Sequence, residues 1–332
     1  MKIERVAIIG SGTIGRGWIP LFARAGLEVM VYDVSPASVE SAITSAGRTL
    51  ADLADYGLVK DAAAALRLVR PAGTLKAALS RAHFIQESVP ENVSIKRAVL
   101  SQIDERAPDD AIISSSCSSL DPAEIFRDAA HPERCIVTHP FNPPHLLPLV
   151  ELLPSVRTSE RIVTETVGLM KRLGQVPVII RKPVLGYVAN RLQAAVVNEA
   201  MSLVGQGVIS PADLDLCITE ALGRRWAFLG PFETMDFNAE DGIEGYASRY
   251  RSAYEEIGTD LKVGAPWPTD ALEQVIAARR AAVPVAQLDG RRRWRDRTLM
   301  DMLARPPRDR AQGEDDESAP KGRSAEGKTH AF

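Results

Sequence analysis

The stretch "RVAIIGSGTIGRG", residues 5–17, decides the fold. After Arg5, "VAIIG" (6–10) forms a short, continuous apolar run, the composition of a parallel strand buried on both faces. The run ends on Gly10, with Gly12 and Gly15 following, and a helical stretch near 13–25 takes over. Gly10 permits a tight turn, Gly12 lets backbone approach a pyrophosphate, and Gly15 allows helix and strand to pack closely. Thr13 and Ile14 fall in the first helical turn, where free amides and the positive helix end face the phosphates. A glycine pattern alone is weak evidence. Here it has its strand, its helix and an acid, Asp33, at the end of a second strand-like run, "LEVMVYD" (27–33). Asp33 can accept hydrogen bonds from ribose hydroxyls and repels a 2′-phosphate, and no arginine adjoins it. The cofactor implied is NAD rather than NADP.

Working outward, "AHFIQES" (82–88), "AIISSS" (111–116) and "RCIVTH" (134–139) repeat the buried-strand composition, with helical stretches between them, one near 92–106. Such alternation predicts an α/β, doubly wound Rossmann-type domain. A longer helical insertion is expected over 36–80, as a hairpin above the cofactor edge. After "VPVIIRKP" (176–183) the pattern turns all-helical. One long helix is expected over 186–207 and another over 210–223, with Ser210 as its N-cap, Pro211 at its first position and Gly223 at its close. Further helices are expected near 233–256, 269–281 and 290–304. From Pro306 the chain has almost no bulky apolar residue and reads as disordered. The expected division is 1–184, 185–305 and a tail, 306–332.

The 332-residue length allows two sizeable cores. A net charge of −3 leaves no footprint for nucleic acid or an anionic membrane surface, and no apolar run approaches a membrane span. Cys117, Cys135 and Cys217 lack paired or zinc-type spacing, so no metal site is expected and a reducing, cytoplasmic setting is.

"HPFNPPHLLPLVE" (139–151) places His139 and Glu151 at the two ends of a proline-stiffened segment. Singly, each has a plain reading: a strand-end histidine held by a carbonyl, and a solvated carboxylate. Together they suggest a carboxylate that fixes one imidazole nitrogen while the other moves a proton, as NAD-linked alcohol oxidation requires. In "SSSCSSL" (114–120), Ser118 follows a strand end and either bonds a substrate oxygen or belongs to a turn capping the "DPAEIF" helix. Asn190, an amide on an apolar helix, either bonds substrate or makes a helix contact. Cys117 has no second base nearby in sequence and reads as a small filler.

Taken in order, "GSGTIG", "SSCSSL", "HPFNPP…LVE" and "GYVANRL" resemble the L-3-hydroxyacyl-CoA dehydrogenase superfamily, over nearly the whole chain to about residue 305. The resemblance implies a Rossmann-type domain, a helical domain that forms a homodimer, and an active site between them. It implies His139 as base, Glu151 as its partner, and Ser118 and Asn190 as substrate-positioning residues. Through "PENVSIK" it implies Glu91 and Lys96 near the nicotinamide side of NAD, and through "HPFN" it puts Asn142 near the reacting centre. "FIQESVPENVSIK", "GRRWAFLGP" and "RRRWRDRTLM" are more similar to its lambda-crystallin-like branch, which implies a small free 3-hydroxy acid such as L-gulonate. In "GRRWAFLGP" a guanidinium suits a free carboxylate, which a thioester lacks. Arg225 is the candidate and Arg224 the fallback, with a surface salt bridge as the plain alternative. Only Lys60 and Lys76 supply lysine to the 36–80 insertion, a thin provision for CoA phosphates. A 3-hydroxyacyl-CoA substrate is the alternative, and a non-enzymatic NAD-binding or structural role the third reading.

Overall fold

The computed structural model of the protein describes residues 2–262 and 264–304, so the tail expected from 306 lies outside the described residues. Its first part is built on β1 (Arg5–Ile9), β2 (Glu28–Tyr32), β3 (Val69–Pro71), β4 (Phe84–Glu87), β5 (Ile112–Ser115), β6 (Cys135–Pro140), β7 (Leu149–Pro154) and β8 (Val176–Ile179). The sheet order is β3-β2-β1-β4-β5-β6-β7-β8. The first six strands are parallel; β7 turns back antiparallel to β6, and β8 runs with β7. Reversal of direction between β1–β2–β3 and β1–β4 opens the crevice that doubly wound sheets use for ligands.

Helices cover both faces: α1 (Thr13–Arg24), α2 (Pro36–Asp55), α3 (Ala62–Arg67), α4 (Leu75–Leu79), α5 (Val93–Arg106), α6 (Pro122–Ile125) and α7 (Glu160–Arg172). Alternation along the strands divides the core in two. Val6 and Ile8 of β1 join Phe84, Ile112 and Ile136 under α1, α2 and α7. Ala7 and Ile9 join Ile85, Ile113 and Val137 under α4, α5 and α6. Burial on both sides explains why these strands read as unbroken apolar runs rather than alternating ones.

The second part comprises α8 (Ala189–Gly205), α9 (Pro211–Cys217), α10 (Gly223–Trp226), α11 (Pro231–Phe237), α12 (Gly242–Asp260), α13 (Thr269–Ala282) and α14 (Leu288–Ala304). Its own buried cluster is small, centred on Met201, Val204 and Ala271. α14 returns to the first part and places Met300 in the core beside α1 and α2, with Leu299 and Leu303 alongside.

Several expectations need correction. The 36–80 region is not purely helical, because β3 extends the sheet beside β2. β7 was not among the expected strands. The long helix begins at Ala189 rather than 186, since Gly186 and Tyr187 take positive φ values of 75° and 52° that no helix continues through. Gly223 does not close a helix: a π-helical turn, Ile218–Leu222, leads into α10, and a Cβ at Gly223 would lie 2.9 Å from the Ile218 carbonyl oxygen. The 233–256 helix is two helices, broken after Phe237.

Candidate active site

A cleft of about 700 Å³ opens at the carboxyl ends of β1, β2, β4, β5 and β6. Gly10, at φ 95°, makes the turn out of β1, and a Cβ there would lie 2.7 Å from the Ser88 carbonyl oxygen. A Cβ at Gly15 would come 2.0 Å from the Gly10 carbonyl oxygen, so α1 can start this close to β1 only with glycine. Gly12 differs: nothing lies within 4 Å of its would-be Cβ, and it lines the cleft with Thr13 and Ile14. The protein needs no glycine at 12 for its own packing, so the space it leaves suits an approaching pyrophosphate at the α1 N-terminus. Asp33 stands at the end of β2, accepting from the Ser11 amide (2.8 Å), the Ser11 hydroxyl (3.0 Å) and the Ser35 amide (3.0 Å). Burial pushes its carboxyl up, but these hydrogen bonds outweigh it and hold the group below the ordinary range, as a carboxylate. The residues present therefore fit NAD.

At the other end of the cleft stands His139, whose register partner across the antiparallel β6–β7 pair is Glu151. Their side chains meet at 2.8 Å between Nδ1 and Oε2. Glu151 Oε1 accepts from the Val188 and Ala189 amides at 3.0 and 2.9 Å, at the start of α8. Burial raises the Glu151 carboxyl, yet the hydrogen bonds from His139, Ala189 and Val188 prevail and leave it below the ordinary range. An ionised carboxylate only accepts, so the Nδ1 position carries the proton and neutral His139 has its lone pair on Nε2. Phe141 and Tyr187 flank the ring edge-on, with centroids 4.8 and 5.4 Å away. The arrangement can take up a proton at Nε2 and stabilise the resulting imidazolium.

Ser118 and Glu91 line the same end. Glu91 Oε1 accepts from the Ser118 amide (2.7 Å) and hydroxyl (3.1 Å) and from the Ser119 amide (3.0 Å). Asn190 Nδ2 donates to the Ser118 carbonyl oxygen at 3.4 Å, and the Tyr187 hydroxyl donates to Leu120 at 2.8 Å, so the serine loop is tied to the start of α8. Cys117 is buried and burial pushes its thiol up to about 11, consistent with an inert filler. Lys96 lines the cleft but is itself buried. Asn142, exposed in the β6–β7 loop, and Arg225, exposed on α10, are not brought in, and Asn190, though bonded to the serine loop, does not itself line the cleft. Arg224 is paired with Glu220.

Residues 5–183 match the 3-hydroxyacyl-CoA dehydrogenase NAD-binding domain, and residues 186–281 match the C-terminal domain of the same enzymes. The chain belongs to the 3-hydroxyacyl-CoA dehydrogenase family. It is an NAD-dependent oxidoreductase of CH–OH donors. It is 41% identical to the lambda-crystallin homolog of Rattus norvegicus over 305 residues, covering 90% of this chain and 94% of that one. It is 35% identical to L-carnitine dehydrogenase of Pseudomonas putida, covering 91% and 94%. Among solved structures it is similar to 5-formyl-3-hydroxy-2-methylpyridine 4-carboxylic acid 5-dehydrogenase, an NAD-dependent dismutase, with a TM-score of 0.80, 30% identity and coverage of 91% and 98%.

In this family member the floor of the cleft holds buried polar groups that sequence reasoning missed. Ser116 Oγ accepts from Trp18 Nε1 (3.0 Å) and Gln86 Nε2 (2.7 Å) and meets Ser88 Oγ at 2.8 Å. Thr138 donates onward to Gln86 Oε1 at 2.9 Å, joining α1, β4, β5 and β6 beneath the ligand space. Glu87, wholly buried, binds Lys96. The signal available was the polar ends of "FIQES" and "AIISSS": apolar strands that finish on polar residues at the ligand edge.

Proposed function

We propose that the protein oxidises a small free 3-hydroxy acid, L-gulonate-like, to the 3-keto acid, with His139 as general base. The observation that carries this reading is the buried His139–Glu151 pair facing the cleft that the glycine loop begins. Bound NAD supplies the hydride acceptor. Nε2 of His139 takes the C3 hydroxyl proton, and Glu151 holds the ring in that tautomer and favours the imidazolium. Ser118 and Asn190 position the substrate oxygens, with Gly10, Gly12, Thr13, Ile14, Gly15 and Asp33 holding the cofactor and Glu91 and Lys96 assigned to its nicotinamide side; Asn142, outside the cleft, reaches the reacting centre only if the β6–β7 loop closes over it. The proposal places the boundary between the cofactor domain and the helical domain at residues 184 and 185.

Two relatives favour a free acid. One is named a dehydrogenase of L-carnitine, itself a free 3-hydroxy carboxylate, and the other a dehydrogenase of a pyridine carboxylic acid. Arg225 is the proposed partner of the substrate carboxylate: no ion pair engages it among the described residues, unlike Arg224. Reaching the cleft then requires closure of the helical part or a second copy of the chain. A homodimer belongs to the same proposal, since Leu192, Phe232 and Phe237 are 62%, 74% and 67% exposed, more apolar surface than a lone chain leaves to water. Light scattering on the purified protein checks that assembly.

The deciding experiment compares kcat/KM for L-gulonate, L-carnitine, 3-hydroxybutyrate and 3-hydroxybutyryl-CoA, following NADH. A free acid far ahead of the thioester, with KM for that acid raised in Arg225→Ala, is the expected result. A preference for the thioester would establish the second reading, which the family match favours. An unchanged KM in the Arg225 variant would remove that residue from the substrate site.

A further inference from the structure

Beneath the His139 end of the cleft lies a charge cluster of unusual composition. Lys96 is 1% exposed, and its ammonium is met by three acceptors. It donates to Glu87 Oε1 at 2.9 Å and Oε2 at 3.2 Å, and to the Val89 carbonyl oxygen at 3.2 Å, while Glu91 Oε2 stands at 3.5 Å. Glu87 is 0% exposed and also accepts from the Val89 amide at 2.6 Å and the Ser115 hydroxyl at 2.5 Å. Burial alone pushes the Glu87 carboxyl up. Against it stand a cation in contact with both oxygens and two further donors, a set that only a carboxylate satisfies in full. A buried ammonium also demands a full negative charge within contact.

Glu91 is therefore in a different electrostatic position from the one its neighbour suggests. The cation beside it is already engaged by Glu87, and its own Oε1 is held by the Ser118 and Ser119 amides. Two carboxylates and one ammonium leave one net negative charge, and Glu91, the partly exposed member, carries it to the cleft wall. The nicotinamide ring is cationic in NAD+ and neutral in NADH.

We propose that Glu87 neutralises Lys96 so that Glu91 presents an uncompensated negative charge to the nicotinamide, and that the protein thereby binds NAD+ in preference to NADH. Glu87 is a positioning residue here: it touches neither cofactor nor substrate and acts through Lys96. The inference rests on the proposed seating of the nicotinamide at the His139 end, and not on the identity of the alcohol. It biases the site towards the alcohol-oxidising direction, since product NADH leaves a site built for its cationic precursor.

The test is binding without substrate: NADH by its fluorescence on titration, NAD+ by competition, on wild type, Glu87→Gln and Lys96→Met. In Glu87→Gln the cluster becomes neutral, and the preference for NAD+ over NADH falls roughly tenfold, the size of a unit charge acting through partly screened surroundings. In Lys96→Met the buried Glu87 loses its cation and takes up a proton, so Glu91 still carries the single charge and the ratio stays close to wild type. A merely structural role would weaken both cofactors equally in both variants, leaving the ratio fixed, and that result overturns the proposal. So does a shift of the ratio in the same direction in both. Should Glu87→Gln fail to fold, Glu91→Gln decides: it removes the charge at the cleft wall, the same fall in the ratio is expected, and an unchanged ratio overturns the proposal. Because no alcohol is present, failure here leaves the substrate assignment standing, and failure of that assignment leaves this one standing.

Discussion

Replacing Glu151 by glutamine is the sharpest perturbation available, because the two carboxylate oxygens have different obligations. Oε1 accepts two backbone amides, Val188 and Ala189, and Oε2 accepts from His139. A glutamine has one acceptor oxygen. Turned towards His139, its NH2 would face two N–H donors at about 3 Å, each left unsatisfied at roughly 1–3 kcal/mol. The oxygen therefore stays with α8, and the NH2 points at His139 Nδ1. That nitrogen must then accept, the proton moves to Nε2, and no lone pair remains to take the substrate proton. Loss of the correct tautomer, together with the charge that stabilises the imidazolium, lowers kcat by roughly 10³- to 10⁴-fold, about 4–5.5 kcal/mol. NADH formation under saturating NAD and the best free acid measures the effect. NADH affinity and the melting temperature, taken alongside, should change little, because helix and strand keep their hydrogen bonds. A variant retaining kcat within tenfold of wild type would refute the reasoning.

Three further outcomes are expected. Asp33→Asn loses the charge that three donors converge on, so KM for NAD rises roughly tenfold or more and discrimination against NADP relaxes, as steady-state kinetics with both cofactors will show. Gly15→Ala drives a Cβ into the Gly10 carbonyl, so α1 must shift; NADH binding weakens at least about tenfold and stability falls by about 1–3 kcal/mol in chemical denaturation. His145, whose Nδ1 is buried without a partner among the described residues, has its titration pushed down to about 4, first by burial and then by Arg24 and Arg295. An unfolded histidine protonates near 6.5, so its contribution is complete above that pH and is lost as pH falls towards 4, at most roughly 3 kcal/mol. Melting curves between these pH values should fall less steeply in His145→Asn than in wild type.

The glycine loop was legible because three glycines, a strand and a helix each carry a separate signal and all agree. β3 was not: it is three residues long, and two of them, Arg70 and Pro71, are poor strand formers held only by their edge pairing to β2. β7 was hidden for another reason. "LVELL" fits helix and strand alike, and the prolines before it suggested a stiff loop rather than a strand that returns beside β6. That return is what joins His139 to Glu151. The sequence showed two residues that belong together, and the antiparallel register supplies the contact. Glu87 and Lys96 were illegible as a pair, since a strand-end acid and a helix-face lysine look solvated until the two are buried against each other.

Among the described residues Glu151 also serves as the side-chain cap of the first amides of α8, since Val188 offers none. One carboxylate thus belongs to both halves of the molecule. For anyone exchanging parts between family members, the natural cut in the linker near residue 184 is the wrong place to join them. A hybrid that keeps this sheet but borrows another protein's α8 must keep the backbone of Val188 and Ala189 where Glu151 can reach it. Otherwise it inherits a base without its orientation, a well-folded NAD-binding protein with little turnover.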